Sequence, residues 1–285
     1  MAGEARRWIV GVDGSEHGPA LLERVRGLAA PDDVIEVVHA WDLPMIVGYD
    51  LGTVIDPSDL ELAGRNYVDG LVADSGDPRV SGRVARGHAG HVLAQETRDG
   101  TVVAVGHRGS GRMSMLLGST ASYVLHHAAV PVLVDRGQLS TPVRRVLVGV
   151  DDHDLVDGEN ESVRALRWAY SVPGVESVTV AHATFLPVVV GGWYADLVAD
   201  MEALDSGAMR AIESVIEVAG EPPRPIGVER VPLRGKPGLA LADASREFDL
   251  LVVGSRGRGA WRELVLGSTS AVAASYAHCP VVVIR

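Results

Sequence analysis

Among its 285 residues the sequence holds one cysteine, Cys279, and one lysine, Lys236. A single thiol excludes an internal disulfide and suits a reducing compartment. Cys279 stands just before an apolar stretch, so it is expected to be buried and without a redox role. The lone lysine lies in "RGKPG" (234–238), which excludes a Walker loop, where Gly-Lys-Ser/Thr must hold the phosphates. No G-x-G-x-x-G follows the first apolar stretch, so a dinucleotide fold of the Rossmann kind is disfavoured. No run approaches the ~18 apolar residues of a membrane span. The stretch opening at Trp8 is too short and too strand-like for a signal peptide. Positive charge is scarce: a formal net charge of −11 argues against nucleic acid or an anionic membrane as the partner. No Ser-His-Asp spacing, paired-carboxylate signature or Cys-x-x-Cys points to an enzyme. These absences predict a cytoplasmic protein with neither a membrane nor a nucleic-acid partner.

What is present is a globular composition, 47% hydrophobic and 22% charged, in a chain long enough for two domains. It is also a repeat. "WIVGVDGS" (8–15) returns as "VLVGVDDH" (146–153), and "EVVHAW" (36–41) as "TVAHAT" (179–184). "RGHAG" (86–90) returns as "RGKPG" (234–238), and "AAVPVLVDR" (128–136) as "AHCPVVVIR" (277–285). Such self-similarity marks a tandem duplication. The domains are expected at 1–137 and 144–285, joined through the polar "GQLSTPVRR" (137–145).

Within each half, short apolar runs alternate with amphipathic segments. Strands are predicted at 8–12, 34–40, 80–86, 101–105 and 131–135, with counterparts at 145–150, 175–182, 226–233, 249–253 and 280–284. A helix is predicted over 57–73, where Leu60, Tyr67, Val68, Leu71 and Val72 share a face. Strands as apolar as "VVAV" and "LLVV" must be covered on both sides, which predicts parallel sheets with helices on both faces. Ligands of such sheets sit at the carboxyl ends of the strands, where the winding reverses. Asp13 and Gly106 would both lie at that edge.

The densest signal is "LLVVGSRGRGAWRELVLGST" (250–269), nearly repeated at 102–120. Gly254 lets the chain turn off the strand, and Gly257 keeps a Cβ away from a bound group. Gly267, Ser268 and Thr269 then open a helix whose first N–H groups, hydroxyls and positive end form an anion site. A nucleotide phosphate fits it, with Arg256 or Arg258 as further holders. A strand–helix connection that uses glycine only for turning explains one such loop. Two such loops, each opposite an Asp-terminated first strand, favour a binding site.

The combination of "GVDGS", "HA" after the second strand, and G-x2-G-x9-G-S/T followed by "CPVVV" resembles the universal stress protein family in its tandem two-domain form. The resemblance spans essentially the whole chain. It implies an α/β fold of two open parallel five-stranded sheets of order 3-2-1-4-5, adenine nucleotide alpha hydrolase-like, pairing through the fifth strands. It also implies ATP with Mg²⁺, a role in stress response or growth arrest, little or no hydrolysis, an unidentified protein partner and a homodimer. Carried over by residue, it places Val12, Asp13 and Ala40 around adenine and ribose in the first half. Gly106, Arg108, Gly109, Gly118, Ser119 and Thr120 would then hold phosphates and ribose. In the second half the matching positions are Val150, Asp151, Ala183, Gly254, Arg256, Gly257, Gly267, Ser268 and Thr269.

Each half departs from the pattern once. Eight residues separate Gly109 from Gly118, whereas nine separate Gly257 from Gly267. The loop after Asp151, "DDHDLVDGENE" (151–161), is about six residues too long, so Asp157-Gly158 competes with Asp151 for the place of Asp13-Gly14. Asp152, Asp154, Asp157, Glu159 and Glu161 there miss the EF-hand spacing and are expected to form a solvated turn. His88, His91, His126 and His127 are expected at the surface, and His39 and His182 as fold-satisfying residues. The apolar loops 43–52 and 186–197 are read as either packed over their own helices or a lid or partner surface. Two other functions stay open: a nucleotide-free dimerising scaffold, and an enzyme that cleaves or adenylates on the same site.

Overall fold

The computed structural model describes residues 5–42, 56–96, 98–107, 117–136, 142–153, 155, 159–185, 201–255 and 266–285. The chain divides into two compact units, Met1–Leu139 and Ser140–Arg285. The first runs β1 (Arg7–Val12), α1 (Gly18–Leu28), β2 (Val34–Trp41), α2 (Pro57–Ser75), β3 (Val80–Arg86), α3 (Ala89–Ala94), β4 (Thr101–Gly106), α4 (Ser119–His127), β5 (Val132–Asp135). The second runs β6 (Arg145–Gly149), α5 (Glu161–Ser171), β7 (Ser177–Thr184), α6 (Met201–Ala219), β8 (Gly227–Arg234), α7 (Pro237–Ala244), β9 (Leu250–Gly254), α8 (Ser268–Tyr276), β10 (Val281–Ile284).

The apolar runs become parallel strands in the order β3-β2-β1-β4-β5 in the first unit and β8-β7-β6-β9-β10 in the second. Right-handed crossovers dictate the layering. Winding from β1 through β2 to β3 places α1 and α2 on one face. The jump back to β4 and β5 places α3 and α4 on the other, and α1 touches α2 as α3 touches α4. The winding reverses between β1 and β4, and between β6 and β9. Burial on both faces explains why strands such as "TVVAVG" and "LLVVG" show no alternation. Trp8, Ile9, Val10 and Leu133 fill the first core, and Leu147, Leu166, Leu251 and Ile212 the second.

Helix ends follow the side chains available. Asp56 caps α2 by accepting the Ser58 N–H at 2.9 Å, and Asn160 caps α5 by accepting that of Val163 at 2.9 Å. Helices α4 and α8 are capped by glycines, Gly118 and Gly267, which have no side chain to bond the first N–H groups. Two further glycines let neighbouring helices meet. A Cβ on Gly90 of α3 would lie 2.8 Å from the Tyr123 Cβ of α4. One on Gly238 of α7 would lie 2.9 Å from the Thr269 carbonyl of α8.

One substitution between the halves alters the core. The buried residues Leu21, Leu22, Arg24, Val25 and Leu28 of the first helix recur at the same spacing as Ala165, Leu166, Trp168, Ala169 and Val172. Arg24, 2% exposed, meets Asp135 at the end of β5 with Nε–Oδ1 at 3.2 Å. The second half has Trp168 and Ile284 in those places, an apolar pair instead of a buried ion pair. Cys279 is buried, as its position in the sequence leads one to expect.

Candidate functional site

At the first switch point a cavity of about 360 Å³ opens at the carboxyl ends of β1, β2 and β4. Val12, Asp13, Ala40, Gly106, Gly118, Ser119 and Thr120, seven of the residues marked by the sequence, line this one cavity. Arg108 and Gly109 lie outside the described residues, as do Arg256, Gly257 and Arg258 of the second half. Ser15, His17, His107, Asp135 and Arg136 also line the cavity, and the sequence reading did not single them out. The recurrence of Arg136 as Arg285 was the available signal.

The loop after β1 is fixed from three sides. The Asp13 carboxylate accepts the Ser15 N–H at 3.1 Å, a local turn typical of aspartate. His39 donates Nδ1–H to the Val12 carbonyl at 3.0 Å. Tyr67 of α2 donates its hydroxyl to the Ser15 carbonyl at 2.8 Å. Burial, and then the nearby Asp13 charge, push the Tyr67 phenol above its ordinary value, so it keeps this proton at neutral pH.

The second half rebuilds the same turn in spite of its longer loop. Asp151 accepts the His153 N–H at 3.0 Å, and His182 donates to the Val150 carbonyl at 2.9 Å. The Asn160 amide donates to the carbonyls of Asp151 (3.1 Å) and His153 (3.0 Å), while Ser162 Oγ accepts the Asp151 N–H at 2.8 Å. The described ends of the longer loop are therefore tied together through Asn160 and Ser162. Asp151 holds the place of Asp13, and Asp157-Gly158 lies outside the described residues. Ala183 on β7 and Gly254 ending β9 complete the same edge beside Val150.

The phosphate-side helices start alike. The Gly118 N–H donates to the His107 carbonyl at 2.7 Å, and the Gly267 N–H to the Ser255 carbonyl at 2.7 Å. Their conformations agree, with φ/ψ of −59/154 and −66/152 degrees. His107 and Ser255 are themselves pinned to the fifth strands through the Asp135 carbonyl (2.8 Å) and the Ile284 carbonyl (2.7 Å). Despite the one-residue difference in spacing, the first turn of α4 starts as that of α8 does. At the far edge Arg86 lies over the Trp41 ring at 5.7 Å, and Lys236 over Phe185 at 5.8 Å.

Other candidates separate from this edge. His88, His91 and His127 lie around Tyr123, His127 stacked on its ring at 4.0 Å, and His126 lies beside His127. Glu159 pairs with Arg167, and Glu161 with Arg164. Among the described residues no group of three or more His, Cys, Asp or Glu side chains is placed to hold a metal ion. None of their helices is long and apolar enough to cross a membrane. The apolar loops 43–52 and 186–197 lie outside the described residues, apart from their flanks.

Comparison with known proteins agrees with this architecture. The family model described as "Universal stress protein family" matches residues 4–136 and again 142–285. A universal stress protein of Mycobacterium tuberculosis is 32% identical over 97% of this chain and 95% of its own length. One of Mycolicibacterium smegmatis is 29% identical over 97% and 96%. The crystal structure of a universal stress protein from Archaeoglobus fulgidus superposes with a TM-score of 0.66 at 22% identity, covering 98% of this chain and 96% of that one. The cytoplasmic domain of a prokaryotic cation chloride cotransporter shares the fold at a TM-score of 0.52 and 12% identity, covering 98% and 95%. The fold is therefore wider than the family, and function must be read from the site. On its sequence, over nearly its whole length and twice over, the chain belongs to the universal stress protein family.

Proposed function

We propose that each half binds an adenine nucleotide, ATP with Mg²⁺, and that the chain is a nucleotide-dependent regulator of stress response or growth arrest with little or no hydrolysis. The reading is carried by the convergence of seven marked residues on one cavity, whose roughly 360 Å³ suits a small ligand. Val12 and Ala40 form an apolar end for the base. Asp13, held by the Ser15 N–H, keeps carboxylate lone pairs for ribose hydroxyls. The glycine-capped start of α4 offers unfilled N–H groups, the Ser119 and Thr120 hydroxyls and a positive helix end for phosphates. Mg²⁺ would ride on those phosphates, with no cage of protein ligands needed. His39 and His107 direct Nδ1 at backbone carbonyls, which suits binding more than proton transfer. As a regulator in the cytoplasm, the protein would present its nucleotide state to a protein partner or a second copy.

Equilibrium dialysis of the full chain with labelled ATP tests this. The wild type is expected to hold nucleotide without releasing phosphate, and Gly118→Trp, still folded by circular dichroism, to lose one equivalent. Unchanged binding in that variant would remove the first-half cavity from the function.

A further inference from the structure

The turn that carries Asp13 is held by a residue from outside the cavity. Asp13, Ser15 and Gly18 line the cavity. Tyr67 of α2 does not, yet it donates its hydroxyl to the Ser15 carbonyl at 2.8 Å. Two glycines leave room for this contact. A Cβ on Gly18 would fall on the Tyr67 hydroxyl, and one on Gly64 would lie 2.6 Å from Cδ2 of His39. His39 meets the Tyr67 ring edge-on, with centroids 6.2 Å apart, and bonds the Val12 carbonyl. The turn is thus clasped between β2 and α2.

The second half holds the same carbonyl with a different donor. Asp13 accepts the Ser15 N–H as Asp151 accepts that of His153, so Ser15 and His153 are equivalent. The His153 carbonyl takes the Asn160 amide at 3.0 Å, where Ser15 takes Tyr67. Helices α2 and α6 are both 19 residues long and end before glycines at positive φ, Gly76 and Gly220. Counted back from those glycines, Tyr67 matches Ala211 and Gly64 matches Ala208, both buried alanines. At these places α6 has neither the hydroxyl nor the glycine. A tie at this carbonyl is common to both halves. In the first it comes from α2, 52 residues away, and in the second from the end of the loop itself.

We propose that Tyr67 is a positioning residue of the first-half site: by holding the Ser15 carbonyl it keeps the Asp13 carboxylate where ribose hydroxyls meet it. This rests on the adenine-nucleotide reading above. Two bonds meet at Ser15, its N–H to Asp13 and its carbonyl to Tyr67, so a turn freed at the carbonyl is loosened at the carboxylate as well. A carboxylate fixed in advance binds hydroxyls without first being ordered, which is where the gain in affinity arises.

The test is equilibrium binding of ATP and of 2′,3′-dideoxy-ATP, which lacks both ribose hydroxyls, to the full chain. A Gly267→Trp background silences the second half, so that the first is read alone. There Tyr67→Phe, which keeps the ring and removes one oxygen, should weaken ATP about three- to tenfold, the worth of one net hydrogen bond. Dideoxy-ATP should change by less than about twofold, because it offers Asp13 no hydroxyl to bond. In a Gly118→Trp background, where the second half is read alone, Tyr67→Phe should leave both ligands unchanged. An equal fall for ATP and dideoxy-ATP would mean that Tyr67 supports only the fold. Unchanged ATP affinity would mean that the turn needs no tie from α2, and a fall in the Gly118→Trp background would mean that the effect is not local. Each of these overturns the proposal while leaving nucleotide binding intact. If Gly267→Trp with Tyr67 in place bound neither ligand, the nucleotide reading of the first half would fall, and this proposal with it.

Discussion

The replacement of Arg24–Asp135 by Trp168–Ile284 predicts the result of a double-mutant cycle. Arg24 is 2% exposed, and Asp135, at the end of β5, bonds it at 3.2 Å. Asp135→Ile would bury a guanidinium without this carboxylate, and Arg24→Trp would do the reverse; breaking a buried pair in this way costs about 3–5 kcal/mol. That is a large share of a domain's stability of about 5–15 kcal/mol. The double variant copies what the second half already packs, so it should lie within about 1.5 kcal/mol of wild type. The assay is urea unfolding, followed by hydrogen exchange of the β4 and β5 peptides so that the two units are read separately. With a slope of about 2 kcal/mol per molar, each single variant should lower the first unit's midpoint by about 2 M, and the double should restore most of it. A midpoint for Asp135→Ile equal to wild type would refute this reasoning. So would a double variant no more stable than its worse parent.

Two other perturbations give opposed or pH-dependent signs. Gly→Ala inside a helix normally stabilises it by about 1 kcal/mol. Gly70 of α2, with nothing within 4 Å of its would-be Cβ, should behave so, whereas Gly238→Ala meets the Thr269 carbonyl at 2.9 Å and should lower Tm and weaken second-half nucleotide binding. Two thermal melts decide it, and a stabilised Gly238→Ala would show that α7 and α8 yield freely. Arg79 foremost, and Arg26 with it, hold the Asp77 carboxyl well below the usual carboxylate range. A depressed folded value means stability that is full above the unfolded value of about 4 and is lost as pH falls below it. Asp77→Asn should therefore flatten the acid limb of a stability profile taken from pH 7 to 2, and an unchanged limb would assign acid sensitivity to other carboxylates.

Most of the architecture was legible because the physics behind it is periodic. Runs like "LLVV" can only be strands covered on both faces, and β9 falls at Leu250–Gly254, one residue from its expected position. The helix predicted over 57–73 runs Pro57–Ser75 and buries Val68 and Leu71 as its spacing requires. What sequence could not resolve was backbone hydrogen bonding, which leaves no residue code. The matching Gly118–His107 and Gly267–Ser255 bonds at the helix starts have no counterpart in the residue pattern. Nor does the sequence announce Asn160, whose amide bonds the Asp151 and His153 carbonyls beside the longer loop, while Asp157 lies outside the described residues. Asp135 and Arg136 escaped notice because they finish a strand, where a repeat reads as packing, although their side of the sheet faces the cavity.

The central claim is that both halves hold an adenine nucleotide. Denaturing extraction of the purified full chain, with chromatography of what is released, measures this most directly. The account predicts about two adenine nucleotides per chain once ATP and Mg²⁺ are supplied, falling to one in Gly267→Trp. No nucleotide on extraction, and none bound when ATP and Mg²⁺ are added back, would contradict it.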